Sequence, residues 1–500
     1  MNKFKIFFLY LTIFVTGGVV LIIEIGGTRL MAPFYGSTIF VWSSLITITL
    51  GSLSLGYFVG GRIADRYPLA KTLYAVLILG GFLTIFFIKL NQPLLVFTDQ
   101  FGLRFGPLAA AFILFSLPLF IFSMAGPFII RLRSLAIEKT GSVSGYVYGI
   151  STVGSLLGAL LVGFYLIPNF SIINILTISA GVVITLSVIG LFLEKTDFRA
   201  IGSTILILLA FFLMPGFDYK STEGQIKIIH QEPSLYADLK IIETSTGLKC
   251  LVMDGIMQTC MSGDGFVPDA EYIKEIKHLA GESFLKGVNI LLLGLGGGGM
   301  VKVLTEDYSV DTVELDSSII KLAKEYFNLE LTDDDNIFVD DARTYLKNGH
   351  KEYDLIVSDL YFGSSMPTYM FSQEAFELVK SRLTDRGVFV ANIVGRIDGT
   401  DDMIPSIVKT LSSVFPNVTA ASNDPGKLDN ILVYGSMDID YQPEFKPGLT
   451  NRYQKQSVDY ESSQLITDDR NPLDLLLIKS TTEFLSIYRK LSGYQTSFVN

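Results

Sequence analysis

The stretch Leu291-Leu292-Leu293-Gly294-Leu295-Gly296-Gly297-Gly298-Gly299 decides the fold of the second half of this chain. The mostly apolar run 288–293 reads as a buried parallel strand. Its glycines let the backbone pass close to a ligand at the start of the next helix. A second strand, Asp311-Thr312-Val313-Glu314-Leu315-Asp316, carries Glu314 twenty residues after Gly294. A carboxylate at that distance can hold the two hydroxyls of a ribose, so a nucleoside-containing ligand is expected. Gly294, Gly296 and Gly299 also satisfy G-x-G-x-x-G, which allows a nicotinamide dinucleotide.

Working outward, strands and helices alternate from 288 onward: strand 288–293, helix near 298–306, strand 311–315, helix 317–327, strands 336–339 and 353–358, helix 372–383, strand 387–393. That alternation implies a doubly wound, Rossmann-like α/β sheet whose ligands lie beyond the carboxyl ends of the strands. Glu314, Asp341 and Asp359 fall at three such ends, and a dinucleotide reading leaves the last two without a role. Asn392, by itself, reads as a capping or loop residue. Upstream, residues 225–260 alternate in short runs around a Thr246-Gly247 turn, which predicts a small antiparallel sheet. Cys250 and Cys260 are expected as two half-buried free thiols, and the three scattered histidines point to no metal site.

The first half has another character. Up to residue 216 there are 13 Lys/Arg against 6 Asp/Glu, leaving 26 against 43 for the remainder. So acidic a second half argues against nucleic-acid binding, which needs basic surface to displace counterions. Apolar runs at 6–27, 38–60, 72–90, 107–130, 146–167 and 172–193 each approach the ~20 residues that cross a bilayer. A seventh, 201–214, barely spans at ~1.5 Å per residue. The expected organisation is a polytopic helical membrane domain over 1–216, with six to seven helices. A small β-sheet over 217–285 and a Rossmann-like domain over 286–500 complete it.

The first run is too long for a signal peptide, has no small-residue cleavage site, and is followed by further spans. Lys3, Lys5, Arg62, Arg66, Lys71, Arg131, Arg133, Lys139, Lys195 and Arg199 fall on one side, which places the N-terminus in the cytoplasm. If 201–214 spans, the acidic half lies outside; otherwise it is cytoplasmic. A nucleoside cofactor is made and kept inside cells, which favours the cytoplasm. Glu24, an acid inside a span, raises a transporter or sensor as a further reading, against a structural pairing with Arg29.

Together these residues resemble the spermidine synthase (polyamine aminopropyltransferase) family. The resemblance is carried by Gly294-x-Gly296-x-Gly298, Glu314, Asp341-Ala342-Arg343 and Tyr353 to Asp359. It extends to Leu251 through Gln258 upstream and Phe371 through Leu378 downstream. The first half is similar to the multi-span domain fused to such enzymes, through Arg29-Leu30-Met31-Ala32-Pro33, Trp42 and Gly60-Gly61-Arg62-Ile63-Ala64-Asp65-Arg66. Leu465-Ile466-Thr467-Asp468-Asp469-Arg470-Asn471-Pro472 is similar to the same fused group.

The resemblance implies a membrane-anchored enzyme that moves an aminopropyl group from decarboxylated S-adenosylmethionine to a small amine, with no metal. Glu314 would hold the ribose, Asp341 the adenine amino group, and Gly294, Gly296, Gly298 and Gln258 the rest of the donor. Asp359 would deprotonate the amine, with Tyr272 beside it. Three positions depart from the family: Gly297 stands where it has an aspartate, Tyr272 alone remains of a Tyr-His or Tyr-Gln pair, and Phe362 replaces a second acid. An S-adenosylmethionine-dependent methyltransferase, with room for the donor's tail at Gly297, is the alternative.

Overall fold

The computed structural model describes residues 3–36, 38–134, 140–195, 226–262, 267–268, 270–283, 288–361, 363, 365–441, 443 and 453–491. The chain divides into two compact units, Met1–Lys220 and Ser221–Asn500. The segment 201–214 and the expected boundary at 216 lie outside the described residues.

Six helices of the first unit are long and apolar enough to cross a membrane: α1 (Lys3–Tyr35), α2 (Ile39–Arg66), α3 (Ala70–Lys89), α4 (Gly102–Arg133), α5 (Thr140–Asn169) and α6 (Ile172–Leu193). Glycine lets α1 and α5 touch backbone to backbone. A Cβ on Gly154 would come within 2.0 Å of the Phe14 carbonyl oxygen, and Ser155 Oγ donates to the Gly17 carbonyl at 3.0 Å. Such small-residue contacts are the usual means of helix association where no water drives it. Lys5 pairs with Glu194 at 3.1 Å and Arg131 with Asp65 at 3.0 Å, so members of the basic group meet acids at helix ends. Leu50, Phe58, Leu156 and Phe164 point outward from the bundle, and Glu24 is half-buried in α1.

The second unit contains two sheets. The smaller is antiparallel with order β1-β2-β3-β4-β5: Ile226–Pro233, Asp238–Thr244, Lys249–Met253, Ile256–Ser262 and Val267–Pro268. The expected small sheet is therefore present, with five strands among the described residues. Cys250 and Cys260 face one another across β3 and β4 and are joined in a disulfide. The expectation of two free thiols is overturned. Ten residues separate them, and the hairpin between β3 and β4 folds that separation into direct opposition.

The larger sheet has order β13-β11-β12-β10-β9-β6-β7-β8. Its parallel part comprises β6 (Asn289–Leu293), β7 (Ser309–Glu314), β8 (Asn336–Val339), β9 (Tyr353–Ser358) and β10 (Leu383–Gly395). β11 (Asn417–Ser422), β12 (Asp429–Ser436) and β13 (Gln454–Gln456) add antiparallel strands at one edge. Ile290 and Leu292 of β6 enter one core, while Leu291 and Leu293 enter another, so both faces of the strand are buried. This is why β6 reads as a continuous apolar run, as parallel strands covered on both sides do.

Helices α7 (Glu271–Ser283), α8 (Gly299–Leu304), α9 (Ser317–Tyr326), α10 (Ala342–Asn348), α11 (Gln373–Lys380), α12 (Met403–Ser412) and α13 (Leu473–Leu491) complete the unit. Caps set several of their starts: Asp316 accepts from Ser318 N, Asp341 from Thr344 N, and Ser372 from Ala375 N. Each cap satisfies an amide that has no partner within its own helix.

Candidate functional site

The strand order reverses direction between β6 and β9, and ligands of open α/β sheets lie in the crevice at that point. Gly294 ends β6 there with φ +96°, and a Cβ on it would sit 2.3 Å from the Asp359 carbonyl oxygen. Only glycine lets the two strand ends close up. Gly296, at φ +54°, faces Thr259 of β4 in the same way, with Thr259 Oγ1 2.6 Å from its notional Cβ. Thr259 Oγ1 also accepts from Gly297 N at 3.0 Å, tying the glycine loop to the smaller sheet.

A cavity of about 330 Å³ runs along this edge. One end is built by β6, β7 and β8. Glu314 is buried there and accepts from Leu295 N at 3.0 Å and from Asp316 N at 2.9 Å. Burial raises its pKa, and the two backbone donors oppose that rise. The carboxylate thereby braces both the glycine turn and the loop after β7. Asp341 accepts from Thr344 N at 2.9 Å and from Tyr369 Oη at 2.7 Å, so it caps α10 as well as lining the cavity. Tyr369 belongs to a segment that Arg343 holds by donating to the Tyr369 carbonyl while paired with Asp468. The Leu465–Pro472 stretch thus works as a clasp, with Asn471 Nδ2 donating to the Thr368 carbonyl.

At the centre lies Asp359. Tyr272 Oη donates to its Oδ2 at 2.8 Å, and Asn392 Nδ2 donates to its Oδ1 at 2.9 Å. Burial pushes the Asp359 carboxyl above the usual carboxylate range; the Asn392 and Tyr272 hydrogen bonds pull the other way. Tyr272 is itself raised well above the ordinary tyrosine value, first by burial and then by the Asp359 charge, so its proton stays on oxygen as a donor. Sequence reasoning assigned Asn392 to a cap or loop. It sits inside β10, beside β9, and orients the central carboxylate. Pairing of β9 and β10 was the missing information, because 33 residues separate the two side chains.

The sequence-predicted residues Gly294, Gly296, Glu314, Asp341, Asp359, Tyr272 and Gln258 all line this one cavity. Gly298 stands behind it, in the left-handed conformation at the start of α8. Gln258 donates to the Gly363 carbonyl at 3.1 Å and so holds the segment after Asp359. Gly297 does not line the cavity, and a Cβ on it would lie 3.0 Å from Thr259 Cγ2 and 3.4 Å from Met261. The room expected at Gly297 is filled by those two side chains.

The reversed strand order and the carboxylates at the strand ends define a Rossmann-like domain with its ligand cleft over the switch point. Residues 270–428 match the spermine/spermidine synthase domain, and the C-terminal part of the chain carries that domain. The chain is 32% identical over 180 residues to a polyamine aminopropyltransferase of Vibrio vulnificus, covering 34% of this chain and 60% of that protein. It is 26% identical over 275 residues to a probable polyamine aminopropyl transferase of Bifidobacterium longum, covering 48% and 60%. The chain therefore spans three-fifths of the length of each of these relatives. A probable spermidine synthase structure from Corynebacterium glutamicum superposes with TM-score 0.41 at 19% identity, over 48% of this chain and 96% of that one.

Proposed function

We propose that this protein is a membrane-anchored transferase that moves an aminopropyl group from decarboxylated S-adenosylmethionine to an amine, releasing methylthioadenosine. The observation that carries the reading is Asp359, a half-buried carboxylate at the strand switch point that lines the cavity and is held by Tyr272 and Asn392. Glu314 and Asp341 suit the ribose hydroxyls and the adenine amino group, since both carboxylates keep acceptor capacity at the β7–β8 end. The donor's sulfonium supplies the leaving group. Asp359 orients the attacking amine, attracts it as a cation and takes its proton. Tyr272 and Asn392 keep the carboxylate in one orientation, and alignment of this kind can supply on the order of 7–11 kcal/mol of barrier reduction at best.

The six apolar helices serve as the lipid anchor. We place the second unit in the cytoplasm, where such a donor is found. The Cys250–Cys260 bridge pulls against this placement, because disulfides persist in oxidising compartments. A reporter fused at the C-terminus decides the side. For the reaction, the purified protein is incubated with decarboxylated S-adenosylmethionine or S-adenosylmethionine and a panel of amines, read by mass spectrometry. Methylthioadenosine release is expected; S-adenosylhomocysteine instead would make the protein a methyltransferase.

A further inference from the structure

The first unit holds a cavity of its own, about 70 Å³, between α1, α2, α4 and α5. Its lining has no charged residue among those described and is rich in hydroxyls: Thr16, Tyr57, Ser123, Tyr148, Ser151 and Ser155. Thr16 and Ser123 give their protons to carbonyls of their own helices at 2.9 and 2.8 Å, and Ser155 gives its own to the Gly17 carbonyl. Acceptance is what these three have left to offer. Tyr57 of α2 and Tyr148 of α5 meet edge to face, 6.5 Å between ring centres, and both are exposed at the surface of the bundle.

α1 contributes Ile13, Gly17, Val20 and Leu21 to the lining, and Glu24 continues that series at the spacing i, i+4, i+7, i+8 and i+11. Such spacing puts all five residues on one face of the helix. Helical side chains lean toward the N-terminus, which from Glu24 is the direction of the cavity. Glu24 has no ion-pair or hydrogen-bond partner among the described residues, so the pairing with Arg29 is not made. On α2, Leu45 lies 2.9 Å from a notional Cβ on Gly27, and Leu53 lines the cavity. Thr49 stands between them, one helical turn from each, at the level of Glu24. It is 2% exposed, and its hydroxyl has no hydrogen-bond partner among the described residues.

An acid without a counter-charge among apolar helices is costly, and so is a buried hydroxyl without a partner. One ligand relieves both: a cation that carries N–H donors. A bare metal ion asks for several oxygen or nitrogen ligands, and the described residues hold no group of three His, Cys, Asp or Glu. An ammonium on an aliphatic chain matches the groove better. Its N–H groups suit a carboxylate and a hydroxyl, and its methylenes suit Val20, Leu21, Leu53 and the tyrosine rings.

We propose that the first unit binds an aliphatic ammonium in this groove, with Glu24 as its counter-charge and Thr49 as an added acceptor. The proposal rests on the membrane placement of the six helices given above and not on the transfer reaction. The amine is supplied either from water, as a linear polyamine, or from the bilayer, as a long-chain alkylamine.

The test uses the full chain carrying Asp359→Asn, so that amine binding in the other unit is suppressed, in phosphatidylcholine nanodiscs. Equilibrium binding is measured with a linear triamine, with dodecylamine and with dodecanol as the uncharged control. One of the amines should saturate at one per chain, and which of them does so identifies the source. Adding Glu24→Gln should weaken that binding about tenfold or more, Thr49→Val should weaken it less, and Glu24→Asp, which keeps the charge, should restore most of it. Binding of neither amine, equal binding of dodecanol, or an affinity unmoved by Glu24→Gln would overturn the site. A chain washed out of the membrane fraction by alkaline carbonate would sink the membrane placement, and the site with it, while leaving the transfer reading to its own assay.

Discussion

The two ends of the cavity are made differently. The β6–β8 end comes from one run of some fifty residues, Gly294 to Ala342, and its carboxylates are held largely by backbone amides. The other end comes from Tyr361, Val394, Asn430 and α13, parts far apart in the chain, and its polar groups are held by side chains as well as backbone. Strands lie about 4.8 Å apart, so β7 and β12, four steps apart in the sheet, are separated by about 19 Å. A local, backbone-braced end suits one invariant ligand. An end assembled from distant side chains can be altered piece by piece.

The most severe way to break this comparison is at the centre, which both ends share. Asp359→Asn should lower methylthioadenosine release about a hundred- to ten-thousand-fold. The same variant should not be less stable near neutral pH. The folded-state pKa of Asp359 is raised, so its contribution to stability is full below the unfolded value and is lost as pH rises through the folded one. Thermal unfolding from pH 4 to 8 checks this: the variant should gain on wild type as pH increases.

Next in size is the β7 end. On the proposed assignment of that carboxylate to the donor, Glu314→Gln should raise the donor's KM about tenfold to a hundredfold and leave the acceptor's KM alone. A matching change for the acceptor would mean the two ends are not separate. A smaller effect, about threefold to tenfold on kcat, is expected for Tyr272→Phe. Its hydroxyl lowers the Asp359 pKa, so the acid limb of the pH–rate profile should move to higher pH in the variant. Smallest is Cys250→Ser with Cys260→Ser, which should lower the melting temperature with little change in either KM, since neither cysteine lines the cavity.

The same contrast explains what could be read from the sequence. The β6 run, the glycine turn and Glu314 are neighbours in the chain, so periodicity and spacing place them. The six apolar helices are equally legible, because length and hydropathy are local properties. The Asn392–Asp359 and Ser480–Asp401 contacts were not. They depend on β9 lying against β10 and on α13 returning to the loop before α12, and they span 33 and 79 residues. The disulfide was missed for a related reason: facing positions in a hairpin are set by register, and the β3–β4 register shifts between Leu251 and Val252.

Helix α13 follows every strand of the sheet in chain order. A ribosome making this protein therefore delivers the six apolar helices first, then the glycine turn, and the wall carrying Ser480 only afterwards. Until that helix emerges, the cavity beside Asp359 lacks the wall formed by Leu477, Ser480, Thr481 and Phe484.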